Sequence, residues 1–126
     1  PYWFSADMAL YFNYYILQAY DCSSYADLDN RFSQLVLQFS SKQTEEEIAK
    51  KLIVTENFEA HSGTGGVTFT TRDGQSVPSY LGMATWQPLN GRKGGIGSYH
   101  MEKDYAANPV YKYLRKGIQL MNPAVK

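Results

Sequence analysis

Gln18 and Tyr20 stand two residues apart at the end of the run Phe12 to Tyr20, and Trp86 ends another short apolar run, Leu81 to Trp86. Read as strands, these runs place Gln18 and Tyr20 on one face of the first, at the C-terminal end where parallel α/β folds bind ligands. An amide beside a phenol can bond a polar ligand, and an indole at a matching strand end gives a flat platform on which a sugar ring can stack. Glu56 and Asn57 close a third run, Leu52 to Thr55, where they can bond hydroxyl or acetamido groups. Plain strand packing, a core tryptophan and a surface cap are the competing explanations of the same residues.

Other chemistries fit less well. His61 and His100 lie in separate loops without the H-E-x-x-H or H-x-x-E-H spacing of a zinc site, so no metal site is expected. The runs Gly63 to Gly66 and Gly94 to Gly97 lack the Lys-Ser/Thr tail of a phosphate cradle and read as turns. Cys22, Ser23 and Ser24 follow a strand, but no G-x-S-x-G elbow surrounds them. No cofactor is implied.

These side chains need elements to position them. Phe12 to Tyr20 is rich in aromatic and branched residues with little alternation, which predicts a parallel strand covered on both faces. Ser24 followed by Asp27 resembles an N-terminal cap, and Leu28, Phe32, Leu35, Val36 and Phe39 form an apolar stripe on a helix over residues 25–39. Thr44 to Glu47 is a capping box opening a short helix to Lys51, and Leu52 to Thr55 is the second strand. A long loop from Ala60 to Ser79 follows, with a small hairpin around Arg72-Asp73-Gly74. Leu81 to Trp86 reads as the third strand, with Gly82 and Ala84 leaving room beside it. A glycine-rich loop, Gln87 to Asp104, then leads to a last helix capped at Asn108-Pro109, running through Leu114, Ile118 and Met121 to a stop at Asn122-Pro123. Strand and helix alternate, so the fold is α/β with parallel strands and crossover connections. Three strands would leave two open sheet edges, and the chain reads as one segment, residues 1–126, of a larger fold.

With 126 residues the chain is one domain or part of one. Twelve basic and twelve acidic residues leave no surplus charge for a nucleic-acid backbone. Mean hydropathy is -0.42 and no apolar window is long enough to span a bilayer. A single cysteine excludes an internal disulfide. The first residue is Pro1, so any targeting segment is expected to have been removed or to lie outside this sequence, and the compartment is not readable from the start. Aromatic residues reach 15%, with 11 Tyr, an amount that suits either a ligand surface or a half-buried one.

Taken in order, Tyr14 to Tyr20, Lys51 to Glu59, Leu81 to Trp86, Gly94 to Tyr105, Tyr111 to Arg115 and Met121 to Ala124 resemble strands six, seven and eight and the tail of glycoside hydrolase family 18 barrels. Within that family the strings are similar to the endo-β-N-acetylglucosaminidase-like lipoproteins of gut Bacteroidetes. The resemblance implies the C-terminal fragment of a (β/α)8 TIM barrel, acting on glycans that contain N-acetylglucosamine, as an endo-β-N-acetylglucosaminidase or chitinase would, at the cell surface or in the periplasm. It implies substrate-assisted hydrolysis, in which the acetamido carbonyl attacks the anomeric carbon while an acid protonates the leaving oxygen. Gln18 and Tyr20 would hold and orient the acetamido group, Trp86 would floor the reactive sugar's subsite, and Glu56 and Asn57 would add polar contacts. The family's D-x-x-D-x-D-x-E run occurs nowhere in these residues, so no catalytic residue is assigned in this chain. Three readings stay open: part of an enzyme whose acid lies upstream, a glycan-binding surface protein on the same scaffold, and a free-standing interaction domain. The missing strands would come from the remaining barrel or from another copy of the chain.

Overall fold

The structure, a computed structural model, describes residues 2–123; Ala124 of the tail motif lies outside them. A short helix α1 (Ala6–Ala9), capped by Ser5, leads into strand β1 (Tyr15–Gln18). Helix α2 (Tyr25–Phe39) begins where the Ser24 hydroxyl accepts the Asp27 N–H at 3.1 Å, and it buries Leu28, Phe32, Leu35 and Phe39, the stripe expected from their spacing. Helix α3 (Glu45–Lys51) opens on the Thr44–Glu47 capping box, both bonds at 3.2 Å, and carries acids in its first turn and lysines in its last, each favoured by the helix dipole. It runs directly into β2 (Leu52–Asn57).

The loop that follows contains the expected hairpin: β3 (Thr68–Thr70) pairs antiparallel with β4 (Ser76–Pro78) around Gly74, whose φ is +79°. Helix α4 (Ser79–Thr85), strand β5 (Gly95–Tyr99), a 3-10 turn at Met101–Ala106 and helix α5 (Lys112–Met121) complete the chain. Strands β1, β2 and β5 form one parallel sheet in that order, and the element sequence confirms an α/β architecture with helical crossovers.

The third strand is not the one expected. Leu81 to Trp86 belongs to α4 and its C-cap, whereas the glycine-rich stretch assigned to a loop supplies β5. A short apolar run does not distinguish strand from helix by periodicity, and here packing decides it. A Cβ on Gly82 would come within 2.3 Å of the Phe69 ring, and one on Gly117 within 2.5 Å of Tyr80, so α4 lies pressed between the hairpin and α5. In β5 the glycines lower strand propensity but admit close backbone contact. The Gly94 N–H donates to the Leu52 carbonyl at 2.8 Å, and a Cβ there would meet the Lys50 carbonyl at 2.4 Å. Helix α5 also starts later than its proposed cap, at Lys112 beyond the Asn108-Pro109 pair.

A second correction concerns burial. Along β1, Tyr15 and Leu17 are buried while Ile16 and Gln18 are exposed, so the strand alternates instead of being covered on both faces. Tyr15, Leu17, Leu52 and Val54 form the core with α2, α3 and Met83 of α4. The other face of the sheet is open in this chain, and Ile16 is 55% exposed. Cys22 is a buried free thiol, pushed up to about 12 by burial. No helix among the described residues is long and apolar enough to cross a membrane.

Candidate functional site

Register sets the site. Gln18 pairs with Thr55 and Thr55 with Gly97; Asn57 pairs with Tyr99. Because side chains alternate, Ile16, Gln18 and Tyr20 share the open face with Ile53, Thr55, Asn57, Gly95, Gly97 and Tyr99. The outermost row, at the C-terminal ends of the three strands, is therefore Tyr20, Asn57 and Tyr99. The rings of Tyr20 and Tyr99 are 6.5 Å apart and tilted by 35°, and Tyr99 is about half exposed. Below Tyr99, Gly95 and Gly97 present no side chain, which leaves a shallow bare strip beside Thr55 and Ile53. Burial, and after it the neighbouring Tyr99 and Glu56, raise the Tyr20 hydroxyl above the ordinary phenol value against a hydrogen bond with Thr55 that lowers it.

Turns just beyond the strands supply two histidine–carboxylate pairs. His61 Nε2 lies 2.6 Å from Asp21 Oδ1, and His100 Nδ1 lies 2.7 Å from Glu102 Oε1. The bond from His100 holds the Glu102 carboxyl below the usual range. The His100 ring meets Tyr99 edge to face with centroids 4.2 Å apart. Asp21 and His100 both adopt left-handed backbone, with φ of 60° and 56°, where each chain turns sharply away from the sheet.

Of the residues singled out from sequence, the structure gathers Gln18, Tyr20 and Asn57 at the open strand ends. It does not place Glu56 or Trp86 with them. Glu56 points to the opposite face, fully buried, and its carboxylate is engaged within the protein. Trp86 caps α4 and is 1% exposed; its ring packs edge to face on Phe32 and its Nε1–H donates to Asp29 Oδ1 at 2.9 Å. It is a core residue behind the sheet and not the end of a strand. Tyr99 occupies the position that had been expected for Trp86. It was missed with its strand, although the Gly95-x-Gly97-x-Tyr99 alternation marks all three for one face.

Among the described residues, Asp21, Glu56 and His61 bring one ligand atom each within 4.8 Å of one another. Glu56 Oε1 already accepts two backbone N–H groups, and Oε2 accepts the Ser79 hydroxyl, so the trio is a hydrogen-bonded bracket more than a metal seat. A groove of about 540 Å³ runs along the outer flank of α2 between Leu37, Arg72 and Leu89, and none of its lining residues comes from the strand ends.

No curated protein matches the chain. A solved structure of a selenomethionine-labelled Glu-to-Gln variant of BT1044 is similar, with 32% identity and a TM-score of 0.77, over 94% of this chain and 36% of that one. The chain thus spans little more than a third of the length of that relative. The model of glycoside hydrolase family 18, BT1044-like, matches residues 5–120, which is nearly the whole sequence. The chain belongs to glycoside hydrolase family 18, in its BT1044-like group.

Proposed function

We propose that this chain forms strands six to eight of a (β/α)8 barrel and that its open strand ends hold a glycan containing N-acetylglucosamine. The observation carrying this reading is the row Tyr20–Asn57–Tyr99. Two tyrosines with rings 6.5 Å apart flank an amide at the C-terminal ends of parallel strands. Aromatic faces suit the apolar face of a pyranose, and the amides of Asn57 and Gln18 can pair with hydroxyl and acetamido groups. The barrel is supported by the exposed Ile16, by the edges of β1 and β5 that are unpaired among the described residues, and by the 36% share of the similar chain that is matched. The remaining strands would cover that face and those edges.

In the substrate-assisted route of the family, Tyr20 would orient the acetamido group for attack, and the acid that protonates the leaving oxygen would come from outside this chain. The activity proposed for the whole protein is of the endo-β-N-acetylglucosaminidase or chitinase type, exercised at the cell surface or in the periplasm. The alternative is a glycan-binding protein without turnover on the same scaffold; the two readings share every residue of this chain and part only at the acid outside it.

Calorimetry on the full-length protein with N,N′-diacetylchitobiose tests the site. Tyr20→Ala and Tyr99→Ala are each expected to weaken binding about tenfold, the equivalent of ~1.4 kcal/mol. Trp86→Ala should act through stability instead. Unchanged affinity in both tyrosine variants would remove the row from the site. Turnover of a chitobiose-core oligosaccharide by the wild type would decide between the two readings.

A further inference from the structure

We infer that Glu56 is a positioning residue: without touching ligand, its buried carboxylate locks the corner at Tyr20–Asp21 and so sets the Tyr20 ring opposite Tyr99. This rests on the reading that the tyrosine row binds glycan.

The ladder between β1 and β2 ends at the Ala19 N–H, which donates to the Thr55 carbonyl at 3.1 Å. The next N–H that could reach β2 from this side, that of Asp21, donates instead to Glu56 Oε1 at 3.1 Å. The same oxygen accepts the Asn57 N–H at 2.8 Å. One carboxylate oxygen thus joins the chain leaving β1 to the last residue of β2, both next to members of the tyrosine row. The other oxygen accepts the Ser79 hydroxyl, whose own oxygen accepts the Val67 N–H at 3.0 Å. Glu56 is therefore held from behind by the first residue of α4 and by the loop before β3. Gly66 closes the site: a Cβ there would lie 1.9 Å from the Ser79 hydroxyl and 3.1 Å from Glu56 Oε2.

This arrangement has a purpose that packing alone does not require. Asp21 is a non-glycine residue in left-handed backbone, an uncommon conformation that Asp tolerates better than most residues and that its contacts here fix. It is held at both ends, its N–H by Glu56 and its carboxylate by His61. Released, the corner can relax, and Tyr20, one residue away, moves with it. A charge-assisted bond from a buried carboxylate is a stiff way to prevent that.

The test uses the full-length protein and compares Glu56→Ala with Glu56→Gln, whose amide oxygen can still accept the Asp21 N–H. Hydrogen exchange is followed on peptides covering residues 19–22, with the β2 amide of Val54 as the internal standard. Glu56→Ala should speed exchange at Asp21 about tenfold relative to Val54 and weaken N,N′-diacetylchitobiose binding about tenfold, whereas Glu56→Gln should keep both within about threefold of wild type. If Glu56→Ala does not fold, Ser79→Ala removes the rear anchor and should give about a threefold change in the same two readouts. Unaltered exchange at Asp21 overturns the bracket whatever binding does, and faster exchange with unaltered affinity overturns its positioning role. A wild type that ignores the probe sinks the glycan reading, and exchange alone then judges the bracket.

Discussion

The two faces of one small sheet differ in almost everything. The covered face carries Tyr15, Leu17, Leu52 and Val54, packed under helices into a dry core. The open face carries Ile16, Gln18, Tyr20, Thr55, Asn57 and Tyr99, interrupted by the bare Gly95 and Gly97. Two charged groups on the covered side are engaged by the protein itself. Glu56 is a bracket, and Lys93, 5% exposed, donates to the carbonyls of Ala84 and Trp86 at the end of α4. The open face turns polar groups toward solvent at its rim, with Gln18 exposed and Tyr99 about half so, while Asn57 Oδ1 accepts the Ala60 N–H at 3.3 Å. A covered face thus reveals how a fold stands, and an open one what it meets.

The contrast can be broken most directly by truncation. Leu52→Ala should cost about 2–5 kcal/mol in urea unfolding because the core closes only partly over the space. Ile16→Ala sharpens the test: if remaining barrel strands fill the open side in the full-length protein, its cost should fall in the same range. A cost below about 0.5 kcal/mol would mean that the face is left to solvent.

Lys93 gives a pH signature of the covered side. Burial lowers its ammonium to about 8 from the usual 10.5. Between those values the unfolded chain holds a proton that the folded chain has lost, so this residue makes stability rise with pH across that window. The difference in unfolding free energy between wild type and Lys93→Met should grow by on the order of 3 kcal/mol from pH 8 to pH 11. Subtraction cancels the opposite trend from Cys22, whose raised thiol loses stability as pH rises. A flat difference would mean that Lys93 keeps its charge at no cost. The smallest effect belongs to the exposed cap of α3: Thr44→Ala should lower stability by about 1 kcal/mol in the same unfolding measurement.

Helix α2 and the box at Thr44–Glu47 were legible residue by residue, because a 3.6-residue stripe and a cap are local patterns. So was the pairing of Gln18 with Tyr20 on one face, which needs only alternation. The exchange of roles between residues 81–86 and 95–99 was not legible. Leu81 to Trp86 is as apolar as a buried strand, and Gly95-Ile96-Gly97 is as poor in side chains as a loop. Their true states depend on Phe69 against Gly82 and on β2 beside β5, contacts between segments far apart in the chain. Trp86 was misplaced with its element, and Tyr99 was overlooked for the same reason.

Short-range order was written in the residues themselves: caps, stripes and alternation act over a few positions, and elementary sterics and hydrogen bonding read them the same way in any context. Which face of the sheet Glu56 points to, which run joins the sheet, and which aromatic stands opposite Tyr20 were decided only on folding. Each is settled by a partner tens of residues away, whose backbone and ring surfaces fit at one register and no other.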